Sequence, residues 1–212
     1  MTAEPIHQPL PEPSRERQPP QTACEVPEWL MPPEEGFTAE DLDRLPQLPP
    51  HTELIDGSLV LVSPQANFHT LAISLLESAL RRFAPSDLRV RREMTVTLGK
   101  RQRPEPDVLV VRADAIKGPE QTDFRPEDVV LVVEVVSPES ELRDRERKPQ
   151  LYARAGIPHF WRIEKDHGWP VVYVYELDPA TGAYVATGIH HERLKVTVPF
   201  DIDIDLTEID RL

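Results

Sequence analysis

The chain has 212 residues, 39% of them hydrophobic, and a formal net charge of −13, enough apolar material for one good core. A pI near 5.0 argues against strong, indiscriminate nucleic-acid binding, which draws on cationic contacts to phosphates, and leaves room for local basic patches. No apolar run approaches the ~18 residues that cross a bilayer, and "MTAEPIHQPLPEP" has neither the basic nor the apolar region of an export signal, so a cytoplasmic protein without membrane contact is expected.

The first fifty residues differ from the rest. They hold twelve of the 24 prolines and ten acidic against three basic residues. Pro-rich polar sequence with few large apolar groups does not offset the entropy of ordering it, so residues 1–35 read as a disordered acidic tail and residues 36–212 as one folded domain. The single cysteine, Cys24, sits in that tail. This excludes an intrachain disulfide and a cysteine-cluster zinc site, so any metal is left with oxygen or imidazole ligands.

"FTAEDLDRL" predicts a short helix with Thr38 as N-cap. "TELIDGSLVLVSP" predicts a hairpin, because Asp56-Gly57 lies between two alternating runs. In "FHTLAISLLESALRRF", Leu71, Leu75, Leu76, Ala79, Leu80 and Phe83 recur at helical spacing and the segment ends in basic residues, as a helix C-terminus favours. "LRVRREMTVTL" supplies one or two strands, "PDVLVVR" a short one, and "DVVLVVEVVS" a longer one covered on both faces. Pro149 fits only a first helical turn and Gly156 terminates, which predicts a helix over residues 149–155 with Lys148 at its entrance. "HFWRIE", "PVVYVYEL", "AYVATGI" and "LKVTVPF" are further strands, with a hairpin loop from Asp178 to Gly182. The pattern is that of an α/β (α+β) domain built on one mixed sheet.

Asp107 opens one apolar strand and Glu134 lies near the end of the next, 27 residues later. An unpaired buried carboxylate is costly, and two acids converging at strand ends suit a hard divalent cation such as Mg²⁺, which takes oxygen ligands. A cation to assist a water would sit most simply two residues after Glu134, but that place holds Val136.

Taken together, "RPEPDVLVVR", "VVEVVSP" and "RDRERKPQLYARAGIPHFW" resemble the PD-(D/E)XK nuclease superfamily, and within it the Uma-type restriction endonuclease family, over roughly residues 37–178. The resemblance implies a restriction-endonuclease-like mixed sheet flanked by helices, and an endonuclease that cleaves DNA with Mg²⁺, for which Mn²⁺ substitutes. It implies Asp107 and Glu134 as metal ligands, with the backbone carbonyl of Val135 and the carboxylate of Glu53 completing the set. Lys148, 14 residues after Glu134, matches a lysine that in this branch has migrated from the strand to the following helix. His69 matches a recurring histidine, and a homodimer is the family-level expectation. Two positions depart from the commoner pattern: Ser58 stands for an acid after Asp-Gly, and His159 for a glutamate before the aromatic pair.

Plainer readings stand beside these. Asp107 alone also reads as a strand cap or as the acceptor of a nearby backbone amide, Glu134 as the partner of a buried arginine, Lys148 as a solvated member of "ELRDRERK", and Glu53 as a water-facing strand residue. His69 reads better as a hydrogen-bonded structural residue, and His190 and His191 point to opposite faces of a strand. Phe160, Trp161, Tyr173 and Tyr175 read as packing. Arg81, Arg82, Arg89, Arg91 and Arg92, with Arg143, Arg145, Arg147 and Lys148, form two basic groups suited to a phosphate backbone or simply to solvent. The rival functions are a non-cleaving nuclease-like binding or regulatory module and a hydrolase of small phosphoesters.

Overall fold

The structure is a computed structural model that describes residues 27–212. The chain divides into two units, Met1–Met31 and Pro32–Leu212. Most of the expected tail, with Cys24, lies outside the described residues. In the first unit these residues include one 3-10 turn, Glu28–Leu30.

The second unit begins with a turn closed by the Gly36 N–H on the Pro33 carbonyl, 2.8 Å, and a short helix α1, Asp41–Arg44. Thr38 does not cap it from the N-cap position. Instead the Asp41 carboxylate accepts from the Thr38 N–H and hydroxyl at 2.7 and 2.8 Å, so the helix starts three residues later than the expected cap. Strands β1 (Glu53–Ile55) and β2 (Ser58–Val60) form the expected hairpin. Asp56 and Gly57 both have positive φ, 54° and 78°, as a two-residue turn matched to strand twist requires. A Cβ on Gly57 would lie 2.4 Å from Arg101 Nε, so glycine is also what lets that guanidinium pack against the turn.

Helix α2 (Asn67–Phe83) follows, then β3 (Leu88–Arg92), β4 (Thr95–Val96), β5 (Val108–Arg112), β6 (Asp123–Phe124) and β7 (Val129–Val135). After α3 (Lys148–Arg154) come β8 (His159–Asp166), β9 (Trp169–Asp178), β10 (Ala183–His190), β11 (Arg193–Val196) and β12 (Ile202–Asp205). One six-stranded sheet, in the order β10-β9-β8-β7-β5-β3, carries the domain. Only β7 and β8 run parallel in it, because their connection is the long crossover that contains α3.

The sheet is buried on both faces at its centre. Leu131, Val133 and Val135 pack with Ile73, Leu76 and Leu80 of α2; Val132, Leu109 and Phe160 pack on the other face with Tyr152 and Ile157. The buried stripe of α2 runs through Ala72 and Ile73, while Leu71 and Phe83 lie at its margin. Strand β12 was not foreseen, although Ile202, Ile204 and Leu206 alternate with Asp201, Asp203 and Asp205 and only the apolar set is fully buried. No helix among the described residues is long and apolar enough to cross a membrane.

Arg103 ties the segment around α1 and the β1–β2 hairpin to the separate two-stranded pair β4–β6. It is 4% exposed and donates to the Ala39 carbonyl at 3.0 Å, Asp43 Oδ2 at 2.8 Å and Thr95 Oγ1 at 2.9 Å, while its backbone pairs with Leu54 of β1. Arg103→Met strips these acceptors of their donor and is expected to cost about 2–3 kcal/mol, read as an earlier urea midpoint. Arg103→Lys should not restore it, since an ammonium lacks the planar fork; full rescue by lysine would contradict the clamp.

Candidate active site

The site forms where four chain segments meet at one end of β5 and β7. Val108 of β5 pairs with Val133 of β7, so Asp107 and Glu134 fall side by side at the same edge. Alternation along β7 sends Val133 and Val135 into the α2 core and turns Glu134 toward α3. Glu134 is 1% exposed.

Helix α3 delivers the cation that the strand lacks. The helical stretch begins at residue 141 rather than 149 and runs through Pro149. A proline there has no N–H and crowds the carbonyl four residues back. The chain accommodates it by widening into a π-helical turn, Arg143–Arg147, in which the Lys148 N–H reaches the Arg143 carbonyl. Asp144, Lys148 and Tyr152 then share the inner face, and all three are buried.

Lys148 Nζ lies 2.9 Å from Glu53 Oε1, 3.0 Å from Glu134 Oε2 and 3.2 Å from Asp144 Oδ1. The Tyr152 hydroxyl donates to Glu134 Oε1 at 2.6 Å. Burial pushes the Glu134 carboxyl well up and Lys148 opposes that push; burial likewise raises Asp144. For Lys148, burial works against the charge, but the surrounding carboxylates outweigh it and hold the ammonium protonated. Glu53 Oε1 also accepts the Glu105 N–H at 2.8 Å, and His51 Nδ1 lies 2.5 Å from Glu105 Oε1.

Asp107 joins the cluster through the backbone. Its Oδ2 accepts the Val135 N–H at 2.6 Å and its Oδ1 lies 3.2 Å from His69 Nε2 on α2. The described bond of Val135 to this cluster is therefore made by its N–H, not its carbonyl. His69 is buried with Asp107 as its partner, and burial opposes its charge while Asp107 raises its pKa. Neither His190 nor His191 is among the residues lining the cleft.

The cleft above this cluster has a volume of about 440 Å³ and presents seven acids, including Glu93 and Glu139, against Lys148 and Arg143. Four carboxylates close to one ammonium leave an excess of negative charge on hard oxygen donors, a set that suits Mg²⁺ or Mn²⁺. Among the described residues, no three His, Cys, Asp or Glu side chains stand ready to hold an ion together; Lys148 occupies the space between Glu53, Glu134 and Asp144. The donor chemistry thus fits a divalent cation, and the side chains would have to shift to close on it.

Sequence reasoning missed Asp144, Tyr152, Glu105 and His51. The first two carried a signal, because residues 144, 148 and 152 are spaced by four; starting the helix at Pro149 hid it.

Tyr152→Phe keeps the ring and deletes only the hydroxyl. It should cost about 1–3 kcal/mol in urea unfolding, the penalty of a buried carboxylate oxygen losing a donor. Unchanged or greater stability would show that Glu134 does not depend on that bond.

No curated protein matches the chain. A crystal structure described as "a putative nuclease belonging to DUF820", from Anabaena variabilis, matches with a TM-score of 0.58 at 18% identity, covering 82% of this chain and 97% of that one, which establishes a shared fold. A family model described as "Putative restriction endonuclease" matches residues 39–207, a span that contains β1, β5, β7 and α3 with every side chain of the cluster. The chain belongs to the Uma2 family.

Proposed function

We propose that this protein is a divalent-metal-dependent endonuclease that hydrolyses DNA phosphodiester bonds. The observation that carries the reading is the meeting of three carboxylates, Glu53 of β1, Glu134 of β7 and Asp144 of the helical stretch, within 3.2 Å of the Lys148 ammonium nitrogen, beside Asp107, at the floor of an acidic cleft. The fold and the family supply the nuclease context.

In this reading Asp107 and Glu134 would hold Mg²⁺ or Mn²⁺, with Glu53, Asp144 and the Val135 carbonyl available to complete its oxygen ligands. The ion, when bound, would supply Lewis acidity toward a phosphoryl oxygen and toward the attacking water. The rest is done by the chain itself. Tyr152 holds Glu134 in one orientation by its 2.6 Å bond, and the Val135 N–H does the same for Asp107. Lys148, released in part as those carboxylates turn to the ion, would offset charge that develops on the phosphoryl oxygens and orient the water. Phosphoryl transfer depends mainly on such positioning and charge stabilisation, so a small set of groups suffices.

One observation favours the non-cleaving rival. Lys148 is saturated by carboxylates, as in a purely structural buried ion cluster. Incubating purified protein with plasmid and short oligonucleotides separates the two. The nuclease reading expects cleavage with Mg²⁺ or Mn²⁺, none with chelator, and a loss of at least about 100-fold in Asp107→Ala and Lys148→Ala, the scale typical of a charge-stabilising group. Absence of cleavage under both metals, or cleavage that survives the substitutions, contradicts it.

A further inference from the structure

We infer that the recess between the end of α2 and the edge strand β3 binds the phosphodiester backbone of a nucleic acid, with Arg89 and Arg91 as its cationic contacts and Arg81 at its wall. The inference rests on the nuclease reading and names where that substrate is gripped outside the cleft.

The sequence presents two basic groups, and the structure treats them differently. In the group around α3, Arg143 faces Glu139 at 3.8 Å, Arg145 is held by Glu141 and Glu164, Arg147 is bound to Asp56, and Lys148 is buried under carboxylates. Those charges are already answered. Around β3, Arg92 is answered by Glu93 at 2.9 Å, and Arg81 by Glu77 at 2.7 Å.

Arg82 has no acid opposite it among the described residues but stacks on the Phe83 ring at 4.9 Å and does not line the recess, which leaves Arg89 and Arg91. Among the described residues their side chains bond only to main-chain carbonyls: Arg89 Nη1 donates to Ser86 and Leu88, 2.7 Å each, and Arg91 Nη1 to Val90 at 2.9 Å. Such bonds fix a guanidinium in place without neutralising it, so little ordering remains to be done when an anion arrives. With Arg81 they line a recess of about 190 Å³ together with Pro85 and Ser86. Arg91 is half-buried, and after burial the nearby Arg81 and Arg89 charges are what lower its pKa. Arg89 and Arg91, which no acid offsets among the described residues, gain from an anion placed between them, with the Glu77-paired Arg81 adding to the field at the wall.

The position suits a polymer that also enters the cleft. Arg91 is two residues, about 7 Å of strand, ahead of Glu93. The Glu93 N–H bonds the Asp107 carbonyl at 3.2 Å, and Glu93 lines the cleft. Since the cleft is acidic, it repels a polyanion, and a cationic anchor on its flank is the simplest way to hold the backbone there. Among the described residues strand β3 ends the sheet, and no other described strand covers its outer edge.

The test is fluorescence anisotropy of labelled single-stranded and duplex oligonucleotides with the full chain, in chelator, over a series of salt concentrations. Arg89→Gln/Arg91→Gln should weaken binding irrespective of sequence and flatten the slope of log K against log salt by about two, while Arg145→Gln leaves the slope as it is. Wild-type affinity and slope in the double variant, or no oligonucleotide binding by the wild type, overturns the inference. So does self-association of the double variant without loss of binding, which would make the arginines guards against edge pairing. Inorganic phosphate displacing the oligonucleotide at equal phosphate concentration would mean a free-anion site and also overturns it. Metal-dependent cleavage by the wild type with a double variant that binds normally removes this site and leaves the nuclease reading standing. A double variant that loses binding, beside a wild type that never cleaves, does the reverse.

Discussion

The structure turns on one ammonium group surrounded by buried carboxylates. Taking an acid such as Glu134 out of water is unfavourable by several kcal/mol unless a partner and hydrogen bonds compensate, and here Lys148 and Tyr152 engage one oxygen each. The surrounding architecture is arranged so that this contact can form. The β1–β2 hairpin brings Glu53, the central strand brings Glu134, the π-helical turn brings Asp144 and the first residue of α3 brings Lys148. The hairpin is held against that turn from outside as well, by Arg147 on Asp56, so that the distance from Glu53 to Lys148 is set by more than the contact itself.

The same cluster explains why the domain tolerates a widened helix. A regular α-helix cannot contain Pro149 without losing a hydrogen bond and straining the preceding turn. The π-turn absorbs that strain in the place where Asp144 and Lys148 must both face inward. Local irregularity and site geometry are thus one feature, which is a common association for such turns.

Most of the sheet was legible because period-two patterns and turn residues are local signals. The Asp56-Gly57 hairpin, the doubly buried β7 and the Asp178 to Gly182 loop follow from residues a few positions apart. The helix around Lys148 was legible only in part, since proline argues for a helix start and tertiary packing overrode that preference. Strand β12 is legible in the alternation of Ile202 and Ile204 with Asp203 and Asp205. In the site, the adjacency of Asp107 and Glu134 follows from strand order, whereas the bond between Asp107 and the Val135 N–H depends on register, and the meeting of Glu53 with Lys148 depends on packing between segments about a hundred residues apart. The basic groups show the limit most clearly: equal runs of arginine in the sequence differ in the fold by whether an acid stands opposite, as Glu164 does for Arg145 and no described residue does for Arg89.

The central claim is that these carboxylates form one site for one divalent ion, with Lys148 as the cation that stands among them otherwise. Calorimetric titration of the purified protein with Mn²⁺ tests it most directly. The account predicts saturable uptake by the wild type that is abolished in Glu134→Ala. No uptake by the wild type, or uptake equal in the two proteins, would contradict it.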